Sequence, residues 1–255
     1  PSDIFYHGLD MAYATKKCVS VADIKRRDVP ERNKARFKPD MVKKFLEELA
    51  EEQGVDKAEI PIVSFIRHHK AHAANAYYLS GFKNSTLVVT LDGYGDGESG
   101  SVWIGKEGRL EEINNIAFPN SLGQLWASIT EYLGFKPNTQ EGEIMGFAAY
   151  GNPMDEQEQQ RVDKLSRFMD EYVQFDKGTI RVNEDFLYYG EFSEGRARVS
   201  DEMVERLLTI APISKKSGEQ IDPLKDRALA NLAFVLQEKT NKIILELFSF
   251  YLSKH

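Results

Sequence analysis

The sequence is poor in several features that would assign the chain to common classes of protein. Its 255 residues contain one cysteine, Cys18, which excludes an intrachain disulfide and favours a reducing compartment such as the cytoplasm. No apolar run approaches the roughly 20 residues that a membrane-spanning helix needs. The net charge of −7 disfavours nucleic acid as the main partner, although it leaves room for a local basic patch. Composition therefore predicts a soluble, cytoplasmic globular protein.

Histidine is also scarce, yet three of the five histidines lie in one short run. His68, His69 and His72 follow an apolar segment, residues 60–66, that we predict to be a buried strand. They open an alanine-rich segment typical of a helix that ends at Gly81. On a helix His68 and His72 lie one turn apart on one face, so they could share a divalent metal. Histidines at this spacing are also common on ordinary helix surfaces and in hydrogen-bonded cores, and both interpretations stay open.

A segment rich in glycine and aspartate, residues 92–97, lies between predicted strands at 86–91 and 101–104. Glycines let backbone amides approach an anion closely, and Asp92 could complete a metal site begun by the histidines. The alternative is an ordinary hairpin turn, where Asp and Gly are equally frequent. Actin-like ATPases hold phosphate on a loop between two strands. P-loops and Rossmann loops lead instead into a helix, and the chain contains neither GxxxxGK[ST] nor GxGxxG.

The remaining pattern predicts a mixed α/β chain in three parts. Residues 1–153 begin with a charged connecting segment and continue with helices and antiparallel strand pairs. Residues 154–220 form an α-rich insertion with a small hairpin at 173–190, and residues 221–255 form one long amphipathic helix that opens at Asp222. We predict further elements as follows: a helix from Pro39 to Gly54, a turn at 106–109 into a strand near 110–118, and a helix over 122–133 capped by Ser121.

Three motifs, in this order and with this spacing, resemble the O-carbamoyltransferase family of nodulation proteins and antibiotic-tailoring enzymes. The first is HHKAHA at 68–73, and the second is DGYGDG at 92–97. The third runs from SLG at 121–123 to EGEIMGFAAYG at 141–151. The resemblance is specific across about residues 60–153 and diffuse elsewhere.

The resemblance implies an actin-like, ribonuclease-H-like ATPase-type half-domain that binds ATP and an iron-type divalent metal. A carbamoyl group would move from carbamoyladenylate, made from carbamoyl phosphate and ATP, to a hydroxyl of a small-molecule acceptor. His69 or Asp96 would take the proton, with a structural role as the alternative for His69. The implied metal ligands are His68, His72 and Asp92, and the implied nucleotide-binding residues are Gly93, Tyr94, Gly95, Gly97, Glu141, Gly142 and Gly146.

The sequence departs from the family pattern at several points. Glu143 stands where family members usually have lysine, and Ala127 lies near a position that is aspartate in related tRNA-modifying enzymes. The resemblance also places an opening strand before Pro1, and further parts, including the adenylate-forming domain, after His255. We therefore expect a fragment that does not transfer carbamoyl groups alone and that needs the remainder of its own chain as a partner. We also expect an exposed apolar face on the long helix and a homo-oligomer that contacts through it.

Two other functions fit the same sequence. A tRNA-adenosine threonylcarbamoyl-type enzyme would share the fold, but the acidic charge and the DGYGDG segment disfavour it. A non-catalytic binding or assembly module is the second, with the long helix as its partner surface.

Overall fold

The computed structural model describes residues 39–60, 64–186, 200–212, 222 and 224–254, and the charged connecting segment predicted at the N-terminus lies outside them. The helices are α1 (Pro39–Glu52), α2 (His68–Ser80), α3 (Leu122–Tyr132), α4 (Glu141–Ala148), α5 (Glu156–Tyr172), α6 (Asp201–Ile210) and α7 (Arg227–Leu252). The strands are β1 (Thr86–Gly95), β2 (Glu98–Lys106), β3 (Arg109–Ala117), β4 (Val173–Asp176) and β5 (Thr179–Val182). Two short 3₁₀ turns lie at Lys57–Glu59 and Glu184–Phe186.

Strands β1, β2 and β3 form an antiparallel sheet in chain order, and β4 pairs with β5 in a separate hairpin. The β1–β2 turn consists of Asp96 and Gly97, which both have positive φ, the conformation that tight two-residue hairpins require. The β1–β2 ladder is regular up to Leu91 and resumes at Gly95, with a bulge between them. This bulge takes Asp92 out of regular pairing just before the hairpin tip.

Helix α2 packs on the sheet through the side chains that lie one turn apart on its inner face. Ala73 and Tyr77 are buried there against Val88 and Trp103. The Tyr77 ring lies so close to the backbone that a Cβ on Gly105 would come within 2.4 Å of it. His69 occupies the same buried face one turn earlier. His68 and His72 therefore lie on the flank of α2, beside the face that contacts the sheet.

Helix α7 runs along the second half of the molecule and joins it to the sheet. It packs against α4, α5 and β4 in the largest hydrophobic cluster, which α3 and α6 complete. Near its end, Leu247 and Tyr251 reach Val102 of β2. Gly151, after α4, lies so close to α7 that a Cβ would meet the Ala230 carbonyl oxygen at 1.9 Å. Helix α7 thus connects the sheet beside the candidate site with the helices of the second half of the chain.

The mixed α/β class with small antiparallel sheets is confirmed, whereas the actin-like architecture and the three-part division stay predictions. The strand predicted at 60–66 is wrong where the structure describes it, since residues 64–66 are irregular, with Phe65 62% and Ile66 66% exposed. Residues 61–63 lie outside the described ranges. In the described chain β1 pairs only with β2, so no ladder extends to this apolar segment.

Two expectations about the long helix also need correction. Helix α7 begins at Arg227, because the described residues at 222 and 224–226 form a hydrogen-bonded turn before it. Its apolar stripe is buried by α4, α5 and β4, and Leu245 and Leu252 are its large exposed apolar side chains. The expected exposed apolar face on this helix is therefore wrong.

Candidate metal centre

Three side chains with metal-ligating atoms converge where α2 meets the β1 bulge. His68 Nε2 lies 2.7 Å from Asp92 Oδ2, and His72 Nε2 lies 3.0 Å from His68 Nε2 and 3.5 Å from the same carboxylate oxygen. Neighbouring ligands about 2.1 Å from one ion would be separated by about 3.0 Å in octahedral and about 3.4 Å in tetrahedral geometry. The observed separations bracket both values. Within the described ranges, no other three His, Cys, Asp or Glu side chains converge in this way.

The first turn of α2 is held by the tip of the β1–β2 hairpin. Asp96 Oδ2 accepts a hydrogen bond from the backbone N–H of His68 at 2.7 Å. The N-cap residue, Arg67, makes no capping side-chain bond, so Asp96 satisfies this N–H from outside the helix. Gly95 leaves room for the His68 ring, since a Cβ would lie 2.2 Å from its Cδ2 atom. The hairpin thus fixes both the backbone and the ring position of His68.

Arg67 forms an ion-pair clamp that the sequence did not single out. Its guanidinium binds Glu112 of β3 at 2.7 Å and both carboxylate oxygens of Glu98 of β2, at 2.5 and 2.7 Å. Hydrogen bonds to Glu112 and Glu98 raise the pKa of Arg67 above its already high value. The clamp ties the residue before His68 to two strands. No pattern in the sequence indicates this clamp, because the partners lie 31 and 45 residues away along the chain.

Asp92 is held from the other side by α3. The Ser121 hydroxyl lies 3.0 Å from the Asp92 carbonyl and 2.9 Å from the Gly93 carbonyl, and it accepts from Gln124 N–H as the N-cap of α3. Gly123 permits this approach, since a Cβ there would lie 2.5 Å from Gly93 Cα. The sequence predicted Ser121 as a helix cap but did not connect it with Asp92.

The carboxylate of Asp92 is electrostatically suited to stay ionised. Partial burial raises its pKa, but the hydrogen bond with His68 and that from Gly93 N–H more than offset this, with smaller contributions from the His68 and His72 charges. The net pKa of Asp92 lies below its usual value. Gly93 N–H donates to Oδ1 at 2.6 Å, which leaves Oδ2 directed at the two imidazoles. An ionised oxygen beside two imidazole nitrogens is a suitable environment for a cation.

His69 and Asp96, the predicted proton acceptors, occupy different environments. His69 is fully buried, and its Nδ1 lies 2.9 Å from Thr90 Oγ1. Burial lowers the pKa of His69, and its interaction with the backbone of Glu98 offsets this in part. A general base must reach the proton that it removes, so this geometry favours the structural alternative for His69. Asp96 is exposed at the hairpin tip and keeps one carboxylate oxygen beyond the one that caps α2.

The predicted nucleotide-binding residues fall into two groups. Gly93, Tyr94, Gly95 and Gly97 belong to the β1–β2 hairpin beside the candidate metal ligands, and the Tyr94 ring packs edge-on against Phe118. Glu141, Gly142 and Gly146 lie instead on α4, which packs on α3 and α7. Both α4 glycines have open space where a Cβ would stand, and Glu141 accepts a hydrogen bond from Asn138 N–H.

Comparison with known proteins identifies the family to which the chain belongs. The family described as "Carbamoyltransferase N-terminus" matches residues 20–252, so the chain belongs to this carbamoyltransferase family, as the sequence motifs predicted. An uncharacterized protein of Synechocystis is 33% identical over 208 residues, 81% of this chain and 30% of that protein. Nodulation protein NolNO of Sinorhizobium fredii is 36% identical over 105 residues, 41% of this chain and 15% of that protein.

One further relative and the lengths of the relatives complete the comparison. An uncharacterized protein of Methanocaldococcus jannaschii is 42% identical over 108 residues, 37% of this chain and 18% of that protein. The chain thus spans less than a third of the length of each of these relatives. In the described part of the chain, no helix combines the length and apolarity required to cross a membrane.

Proposed function

We propose that the chain supplies the metal-binding part of a carbamoyltransferase, which moves a carbamoyl group from carbamoyladenylate to a hydroxyl of a small-molecule acceptor. Carbamoyladenylate would come from carbamoyl phosphate and ATP. Membership of the carbamoyltransferase family supports the type of transfer. The observation that carries the proposal is the convergence of His68, His72 and Asp92 at the edge of the glycine-rich hairpin.

The donor set fits a divalent metal of the iron type. Two imidazole nitrogens and one carboxylate oxygen on one side of an ion are the ligand set of many non-haem iron(II) sites, which keep the remaining positions open. The Nε2 atoms of His68 and His72 lie 3.0 Å apart and both face Asp92 Oδ2. When bound, the metal would act as a Lewis acid that polarises a carbonyl or phosphoryl oxygen.

The chain's own residues would position the reactants around this centre. Backbone amides of the 93–97 hairpin would hold phosphate oxygens of the adenylate, because glycines allow close approach. The acceptor oxygen would bond to the carbamoyl carbon while the bond from that carbon to the phosphate oxygen breaks and AMP leaves. Asp96 is the exposed carboxylate beside the site and would accept the proton of the acceptor hydroxyl.

Equilibrium dialysis with labelled ATP tests this proposal on the 255-residue chain. We expect binding that increases when cobalt(II) is added and that falls at least tenfold in the His68→Ala/His72→Ala variant. ATP binding that is insensitive to both the metal and the variant would contradict the proposal. The matched control is His7→Ala/His255→Ala, which removes the same number of histidines, neither of them assigned to the site by the sequence motifs, and it should bind ATP as the wild type does.

A parallel assay with labelled tRNA separates the two other candidate functions. A threonylcarbamoyl-type enzyme should retain labelled tRNA in a filter-binding assay with an affinity comparable to that for ATP. A non-catalytic assembly module should bind neither ATP nor tRNA in a metal-dependent manner. Three protein ligands leave a coordination position open, whereas structural metal sites are usually closed by four, so the donor set favours an enzyme over an assembly module. Membership of the carbamoyltransferase family favours carbamoyl transfer among the enzymes.

A further inference from the structure

A third imidazole lies directly beside the two histidines of the metal centre. His69 is fully buried, and its ring stands edge-on to that of His68 with the centroids 5.3 Å apart. The His72 ring lies 6.2 Å away and is tilted by 57°. Both candidate ligand rings are thus neighbours of one buried imidazole. Since the His68 and His72 side chains are themselves 39% and 54% exposed, the fully buried His69 ring is the most firmly held of the three.

A buried chain of hydrogen bonds connects His69 to the sheet. Trp103 Nε1 lies 2.6 Å from Ser101 Oγ, which lies 2.7 Å from Thr90 Oγ1, which in turn lies 2.9 Å from His69 Nδ1. All four residues belong to the buried set, with at most 7% of their surface exposed. We call these four side chains the relay. It joins β2 to β1 and β1 to α2.

The direction of the relay is fixed at one end, because the Trp103 indole N–H can only donate and Ser101 Oγ accepts from it. Ser101 then has its own proton available for Thr90. When Ser101 donates to Thr90, the Thr90 hydroxyl donates to His69 Nδ1, and the ring proton is on Nε2, which has no hydrogen-bond partner among the described residues. In the alternative arrangement the Thr90 hydroxyl turns to the Ser101 carbonyl. That contact measures 3.4 Å, which is outside the usual range for such a bond.

We propose that His69 is a positioning residue of the metal centre, held by the relay in one ring orientation and in the Nε2–H tautomer. The two flipped orientations of an imidazole have nearly the same shape, so packing alone does not distinguish them, whereas a hydroxyl facing Nδ1 does. His69 is not placed as a ligand, because its Nδ1 faces Thr90 and the ring is buried. It acts by supporting the rings of His68 and His72. The inference rests on the metal site of the proposed function.

Cobalt(II) binding to Thr90 variants tests the relay. Thr90→Val keeps the shape and removes the hydroxyl, and we expect cobalt(II) affinity to fall by about tenfold, the range for groups that orient metal ligands. Thr90→Ser keeps the hydroxyl and should restore the affinity. Thr130→Val is the matched control, because Thr130 is also buried but its Oγ1 has no hydrogen-bond partner among the described residues. If Thr90→Val does not fold, Ser101→Ala interrupts the same relay one bond earlier.

Long-range ¹H–¹⁵N NMR of the metal-free wild type tests the tautomer directly. The His69 signals are assigned by their loss in His69→Gln, and we expect the proton on Nε2, with a mixture of tautomers in Thr90→Val. A proton on Nδ1 would overturn the relay direction, and unchanged cobalt affinity in Thr90→Val would overturn the positioning role. Equal binding by wild type and His68→Ala/His72→Ala would instead overturn the metal site, while the tautomer measurement would still decide the relay.

Discussion

At the scale of single residues, the candidate metal centre requires glycine beside His68 as much as it requires the histidine. The His68 imidazole occupies the space where a side chain on Gly95 would lie. Rotation of the ring would not relieve the clash with an added methyl, because even His68 Cβ would lie 2.8 Å from it. The His68 ring would have to move away from Asp92 Oδ2, its present neighbour at 2.7 Å. One methyl group should therefore weaken the site without removing a ligand.

We expect Gly95→Ala to lower the stability of the chain by about 1–3 kcal/mol, the usual cost of overpacking, and to weaken metal binding. Chemical denaturation and cobalt(II) titration measure the two effects. Gly146→Ala is the control, since its new methyl meets open space within α4. That variant should be neutral or more stable by about 0.5–1 kcal/mol, with unchanged metal binding. Equal metal binding by both variants would contradict the account of Gly95.

Part of this residue-level picture could be predicted from the sequence. The spacing of His68 and His72 and the place of Asp92 after a strand predicted a common site, and the structure brings their ligand atoms within 3.5 Å. The roles of Arg67 and Gly95 could not be predicted. They depend on which side chains a tertiary contact brings together, and sequence spacing carries no information about that.

At the scale of elements, the centre is held between three of them: the β1–β2 hairpin, α2 and α3. Ser121 has two functions here, since it caps α3 and its hydroxyl binds the consecutive carbonyls of Asp92 and Gly93. Ser200 caps α6 in the same manner through Met203 N–H but does not belong to the site. The two serines thus separate the effect of a cap from the effect of contact with the metal centre.

We expect Ser121→Ala and Ser200→Ala each to lower the free energy of unfolding by about 1 kcal/mol through loss of the cap. Ser121→Ala should also weaken cobalt(II) binding, because the backbone that carries Asp92 loses its support. Thermal denaturation and metal titration of both variants provide the comparison. Parallel behaviour of the two variants in the metal titration would show that Ser121 is only a helix cap.

Element positions were predictable where a local signal fixes them. The hairpin turn at 106–109 and the Ser121 cap were predicted correctly, because turn and cap residues act on their immediate neighbours. The strand at 60–66 failed, since an apolar segment becomes a strand only beside a partner, and the described part of this one has none. Residues 141–151 were predicted only as a glycine-rich motif with no assigned secondary structure, and most of them form α4.

At the scale of the whole molecule, a largely buried ion pair joins α5 and α7. Arg227 binds both carboxylate oxygens of Glu158 at 2.7 Å and also reaches the carbonyls of Tyr150 and Asn152. The hydrogen bond from Arg227 is the main reason that the pKa of Glu158 falls from 4.5 to about 2. The pair therefore fixes the segment after α4 to both long helices.

This pair predicts that the stability of the fold depends on pH in the acidic range. A carboxyl whose pKa is lower in the folded state stabilises the fold at pH values above its pKa in the unfolded chain. That contribution is lost as the pH falls through its pKa in the folded state. We expect the free energy of unfolding to fall by about 3 kcal/mol between pH 5 and pH 2, because each unit of pKa difference corresponds to roughly 1.4 kcal/mol. Urea denaturation across this range should show the loss in the wild type, and it should be much smaller in Glu158→Gln.

At neutral pH, Glu158→Gln should cost about 3 kcal/mol or more, because it leaves the Arg227 charge buried without its partner. Glu171→Gln is the control, since it breaks the exposed pair with Arg206 and should cost less than about 1 kcal/mol. Similar losses in both variants would show that the Glu158–Arg227 pair has no special role in joining α5 and α7.

The central claim, that this chain builds a metal centre from α2 and the β1 bulge, is tested most directly by metal stoichiometry. Anaerobic titration of the metal-free chain with iron(II) or cobalt(II), followed by calorimetry, should give one ion per chain. Binding should fall at least a hundredfold in His68→Ala/His72→Ala and remain as in wild type in His7→Ala/His255→Ala. Affinity should also decrease with falling pH, since imidazole binds metal in its neutral form. Equal stoichiometry and affinity in wild type and His68→Ala/His72→Ala would contradict the account.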